Sequence, residues 1–126
     1  GVWEEGMKAQ EGGDVKRRGS ATAGNDECET EAIKDVFGDH ASKVMVSSTK
    51  SMHGHLIGGT GAVEMLACIA ALKDGMIAPT VGFQQADPDC DLDVVPNVAR
   101  HQKIDAAISN AFAFGGLNAV IALRSV

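Results

Sequence analysis

The sequence predicts an α/β protein built of layered helices and strands, and three observations carry that reading. A helical segment is followed by the short apolar run Val44-Met45-Val46, a second helical segment, and two strand-like segments joined by a glycine-rich bend. The order helix, strand, helix, strand, strand belongs to layered α/β architectures. The run Val44-Met45-Val46 shows no polar alternation, as expected of a central strand covered on both faces. The 15 glycines gather at sharp turns rather than in a repeat, which argues for tight loops close to a ligand or another backbone.

Residues 1–18 are polar, charged and glycine-bearing, with at most a short helix from Trp3 to Lys8. They are expected to form a poorly ordered or unrelated lead-in, leaving residues 19–126 as the domain. Asn25-Asp26 supplies a helix start, with Glu27, Glu29 and Glu31 in the first turns and Cys28, Ile33, Val36 and Phe37 toward one face. Gly38 stands where a C′ glycine would stop that helix. Residues 43–47 hold the central strand. Residues 62–73 are apolar nearly all round, which predicts a helix buried on most sides; Gly75 ends it and Pro79 prevents resumption. Residues 84–96 form a loop rich in acid and proline. Its carboxylates Asp87, Asp89, Asp91 and Asp93 alternate, yet it lacks the sharp-turn glycine and closing Glu of a calcium loop, so it reads as solvated and capped. Residues 103–111 and 118–124 read as two strands joined by the bend Phe112-Ala113-Phe114-Gly115-Gly116-Leu117.

At 126 residues the chain fits one domain with a real core. A net charge of −6 argues against a duplex nucleic-acid partner, which needs clustered Lys and Arg. No apolar run approaches the roughly 20 residues of a membrane span, and no apolar stretch follows a basic start. The expected location is cytoplasmic. Cys28, Cys68 and Cys90 are widely spaced without a Cys-x-x-Cys pair, so they read as buried or idle thiols rather than a disulfide framework or zinc site.

The chemistry concentrates in Val46-Ser47-Ser48-Thr49-Lys50-Ser51-Met52-His53-Gly54-His55, followed by the glycine-rich turn of residues 56–61 and a helix N-terminus. A buried strand here stops in hydroxyls, an amine and two imidazoles. A lone His at a strand end reads as structural, and Phe112 and Phe114 by themselves read as core residues before a hairpin turn. The joint occurrence of Lys50, His55, Gly58, Gly61 and Glu64, with Ser109-Asn110-Ala111-Phe112-Ala113-Phe114-Gly115-Gly116-Leu117-Asn118 downstream, reverses that preference. These motifs resemble the C-terminal part of the β-ketoacyl-ACP synthases, type II in particular, over residues 19–126.

The resemblance implies the C-terminal half of the thiolase-like fold, a mixed sheet packed with helices. It implies decarboxylating condensation of an acyl thioester with malonyl-ACP, in fatty acid or polyketide biosynthesis. By the same resemblance His55 is one of two active-site histidines, with Lys50 and Glu64 beside it as catalytic residues. Phe114, with Phe112 and Gly115, forms the acyl gate and contributes to the oxyanion hole. Ser20 and Thr22 match hydroxyls that contact the phosphopantetheine arm, and His53 is incidental. No cofactor or metal is expected, the phosphopantetheine arriving on the acyl carrier protein.

Four departures stand out. Arg18 replaces the first active-site His, Ala113 a usual Gly and Leu117 a usual Thr, and no segment resembles the elbow that carries the nucleophilic Cys. A guanidinium stays protonated and cannot serve as a neutral imidazole. The chain alone is therefore expected to be inactive in condensation unless a ketosynthase partner supplies the missing groups. The alternative is a non-catalytic remnant that binds a ketosynthase or acyl carrier protein. A half-fold of this kind is expected to leave apolar faces and sheet edges open, favouring homo- or hetero-oligomers.

Overall fold

The computed structural model describes residues 14–16, 25–113 and 115–126. In chain order the elements are β1 (Asp14–Lys16), α1 (Asn25–Phe37), β2 (Met45–Ser47), α2 (Lys50–His53), α3 (Thr60–Asp74), β3 (Met76–Ile77), β4 (Arg100–His101), β5 (Ala106–Ala113) and β6 (Leu117–Arg124). Short 3₁₀ segments, Gly38–Lys43 and Ile57–Gly59, precede β2 and α3. The main sheet runs β2-β1-β5-β6. β1 is parallel to β2 and to β5, while β5 and β6 form an antiparallel hairpin. The sheet is thus mixed, as the family resemblance implied.

Two core clusters lie on opposite faces of this sheet. Ile33, Phe37 and Ala41, from α1 and the turn after it, pack with Val44, Val46 and Ile108. Cys68 and Ala71 of α3 pack with Met45, Ile77, Val95, Ile104 and Ala107. Alternate residues of β2 and β5 therefore serve different faces, as strand geometry dictates. Val44, Met45 and Val46 are all almost fully buried, so the predicted two-sided strand is present. Burial of each such side chain is worth about 1.5–3 kcal/mol relative to exposure.

Three sequence expectations are corrected. The lead-in of residues 1–18 is not wholly outside the domain, because Asp14–Lys16 is the strand that joins β2 to β5. The segment from Trp3 to Lys8 lies outside the described residues. α3 is buried along one stripe, Thr60, Glu64, Cys68 and Ala71, rather than on most sides. Leu66 and Ile69 are 64% and 44% exposed, since the described sheet offers only one face for the helix to lie on. On α1, Ile33 and Phe37 are buried as expected, whereas Val36 and Cys28 are exposed. The inward stripe runs instead through Glu29 and Thr30, in keeping with the 3.6-residue period. The small sheet of β3 and β4 was not anticipated at all.

The acidic loop is held down rather than loose. Asp91 pairs with Lys34 of α1, whose hydrogen bond keeps the Asp91 carboxyl below its ordinary value. Asp93 accepts the Val46 N–H on its backbone carbonyl at 2.8 Å, covering the outer edge of β2. Its carboxylate receives the Arg100 guanidinium on both oxygens, and the Val95 N–H at 3.2 Å. The opposite edge of the sheet, β6, is open among the described residues.

Two predictions follow from this packing. Gly75 ends α3 in the left-handed region at φ 65°, donating to the Ala71 carbonyl, and an added Cβ would meet the Gln102 carbonyl oxygen at 3.3 Å. Gly75→Ala should cost about 1–2 kcal/mol, read as a lower urea midpoint at unchanged slope. The Arg100 guanidinium holds the Asp93 carboxyl below its usual 3.8, against the opposing effect of burial. A depressed folded value means the stabilisation is complete above that usual value and fades as pH falls through the lowered one. Asp93→Asn should therefore be less stable near neutrality and lose less further stability on acidification below about pH 4, which urea titrations across pH would show.

Candidate functional site

The site begins where the buried strand runs out. Ser47, Ser48 and Thr49 are buried hydroxyl residues directly after Val46, and Ser48 N–H donates to Thr80 Oγ1 at 3.1 Å. The single turn of α2 then closes with Gly54 at φ 77°, ψ −177°, a conformation essentially reserved for glycine. His53 secures this turn. Its Nδ1–H donates to the Gly54 carbonyl at 2.7 Å and its Nε2 accepts from Thr49 at 3.1 Å. Both ring nitrogens of His53 are thereby occupied within the turn.

His55 is arranged differently. The Ile57 N–H donates to its Nδ1 at 3.0 Å, and Thr60 Oγ1 lies 3.1 Å from the same nitrogen. A backbone N–H can only donate, so Nδ1 of the neutral ring is an acceptor and the ring proton resides on Nε2. His55 lines a cavity of about 450 Å³ between the N-terminal end of α3 and the β5–β6 hairpin. The turn that places it is unusual. Ile57, a β-branched residue 85% exposed, has φ 52°, a region such residues seldom occupy.

Lys50 and Glu64 form an ion pair that lines the same cavity. Their side chains are 10% and 1% exposed, so the pair is nearly dry. It ties α2 to α3 across the turn that bears His55. Glu64 Oε2 makes no hydrogen bond with a described residue. The opposite wall comes from the hairpin: Ala111, Phe112, Ala113, Leu117, Asn118 and Ala119.

The three residues expected to be catalytic, His55, Lys50 and Glu64, are thus brought together with Phe112. Gly115 sits in the hairpin bend at φ 82° and does not line the cavity. Phe114, Arg18, Ser20 and Thr22 lie outside the described residues. Sequence reasoning missed Thr60, whose one signal was a hydroxyl residue at the start of α3 within reach of His55. It also gave no sign of Ile57. No cysteine lines the cavity: Cys68 is buried in the core, Cys28 is exposed and Cys90 lies in the acidic loop.

The buried pair can be tested directly. Removing one partner leaves the other charge uncompensated, so Lys50→Met alone or Glu64→Gln alone should destabilise by about 3–5 kcal/mol. The double variant Lys50→Met/Glu64→Gln should recover a large part of that loss. A double-mutant cycle in urea measures the coupling, and additive losses would contradict it.

The family model "Beta-ketoacyl synthase, C-terminal domain" matches residues 4–84, a span that reaches well into the supposed lead-in. Nodulation protein E of Rhizobium sp. (strain N33) is 50% identical over 123 residues, which is 98% of this chain and 31% of that protein. The 3-oxoacyl-[acyl-carrier-protein] synthase 2 of Synechocystis sp. (strain ATCC 27184 / PCC 6803 / Kazusa) is 42% identical over 121 residues, 96% of this chain and 29% of that protein. Among solved structures, the AntDE:AntF complex of a type II PKS acyl-carrier protein with its ketosynthase bound to the hexaketide superposes with a TM-score of 0.91. It is 35% identical, over 95% of this chain and 29% of that one. The chain spans less than a third of the length of these relatives. Among the described residues no helix is long and apolar enough to cross a membrane.

Proposed function

This chain belongs to the β-ketoacyl synthase C-terminal domain family, and we propose that it supplies the decarboxylation and acyl-gate side of a 3-oxoacyl-[acyl-carrier-protein] synthase active site. The observation that carries this reading is His55, held with Nδ1 as an acceptor and its Nε2 proton available at a cavity shared with the Lys50–Glu64 pair.

In the proposed reaction a malonyl thioester loses carbon dioxide. The electron pair of the broken C–C bond passes into an enolate, whose carbon attacks an acyl thioester and expels the thiolate. A neutral imidazole suits the first step, because its Nε2–H donates to the oxygen on which charge develops. The dry Lys50–Glu64 pair keeps the floor polar and fixed while adding no net charge. Phe112 and Leu117 give the cavity an apolar wall against which an acyl chain can lie, and Phe114 is proposed as the gate.

The nucleophilic thiolate comes from outside this chain, since none of its cysteines reaches the cavity. That group belongs to a ketosynthase segment, in a longer polypeptide or in a partner subunit. The second imidazole, which this chain lacks because Arg18 stands at its place in the motif, comes from there as well. The chain by itself does not condense. The acyl carrier protein is the proposed deliverer of substrate, a reading supported by the AntDE:AntF structure, in which an acyl-carrier protein is in complex with its ketosynthase. Cys28, Cys68 and Cys90 form no disulfide with one another, which fits the proposed reducing, cytoplasmic setting.

His55→Ala in a synthase that contains this chain should lower decarboxylation of malonyl thioester by about 10²-fold or more. Release of labelled carbon dioxide is the measurement. Undiminished release by His55→Ala would remove His55 from the reaction.

A further inference from the structure

Thr60 offers a buried hydroxyl at the floor of the cavity that the proposed chemistry does not use. We propose that Thr60 is a positioning residue for His55: its hydroxyl donates to Nδ1 and, with the Ile57 N–H, fixes the plane of the ring so that Nε2–H addresses the cavity. This rests on the reading of His55 as the hydrogen-bond donor in decarboxylation.

The hydrogen-bond inventory leads to the assignment. Thr60 Oγ1 accepts the Leu56 N–H at 2.9 Å and lies 3.1 Å from His55 Nδ1. The Ile57 N–H already requires Nδ1 to be unprotonated, so at the Thr60 contact the hydroxyl must be the donor.

Two donors therefore converge on one ring nitrogen. A single donor leaves the ring free to swing about the hydrogen-bond axis, whereas two from different directions define its plane. A flipped ring would present a carbon to both donors, stranding the hydroxyl of Thr60, which is only 5% exposed. Packing does not do this work, because His55 is exposed and sits on a turn whose next side chains, Leu56 and Ile57, are exposed too.

The test compares full chains carrying Thr60→Ser, Thr60→Val and Thr60→Ala with the unaltered chain. Long-range ¹H–¹⁵N correlation spectra of the His55 ring report the contact. In Thr60→Ser the Nδ1 resonance should keep its position. In Thr60→Val and Thr60→Ala it should move downfield, toward that of an unprotonated nitrogen with fewer donors. In a synthase containing the chain, Thr60→Val should lower kcat for malonyl thioester decarboxylation on the order of tenfold, the worth of one hydrogen bond, with KM little changed and Thr60→Ser restoring the rate. An unmoved Nδ1 resonance in both Val and Ala variants overturns the proposal. A shifted resonance beside an unaltered synthase that decarboxylates nothing would confirm the contact and count against the proposed reaction alone.

Discussion

The two-sided burial of β2 is the constraint on which the rest of the structure depends. Val44 and Val46 belong to one core cluster and Met45 to the other, so three consecutive residues join the layers formed by α1 and α3. A strand covered on both faces has no solvated side on which to carry polar groups. Polar chemistry is therefore confined to its end, where Ser47, Ser48 and Thr49 give way to Lys50. The Asp93 backbone carbonyl, bonded to the Val46 N–H, closes the one edge of β2 that β1 leaves open. The cavity takes its location from these limits.

At the end of the strand, charge and backbone strain are handled separately. The Lys50–Glu64 pair bridges positions 14 residues apart and clamps both ends of the segment that contains His55. Within that clamp the turn tolerates a β-branched residue at positive φ, Ile57, whose N–H is thereby aimed at the ring of His55. Strained backbone of this kind persists only where its surroundings over-determine it. The ion pair and the Leu56–Thr60 contact supply that determination, and the imidazole inherits a defined tautomer from it.

Much of this was legible in the sequence, for reasons that differ by element. The central strand and the hairpin were readable because apolar runs and glycine bends are local signals, and α1 and α3 because their end signals, the acids Asp26 and Glu27 in the first turn of one and Gly75 after the other, are local too. His55, Lys50 and Glu64 were readable through spacing that matches a known motif. β1 was not. A three-residue strand with one apolar residue, Val15, has no period to detect, and its pairing is supplied wholly by residues distant in sequence. The bare side of α3 was misjudged because composition reports how apolar a helix is, not how much cover is available to it. Thr60 and Ile57 were invisible for a further reason: their roles lie in hydrogen-bond direction and backbone sign, which residue type does not encode.

The central place of β1 also bears on how the chain reaches its fold. Asp14–Lys16 must pair with β2 and with β5, partners that emerge from synthesis roughly thirty and ninety residues later, so loop-closure entropy is met before the sheet gains any reward. Among the described residues, until Ala106–Ala113 arrives the main sheet can hold only the parallel pair of β1 and β2, and the Met45 cluster still lacks Ala107. High contact order of this kind implies slow acquisition of structure and a long interval in which apolar segments are open to capture by chaperones or by other copies of the chain.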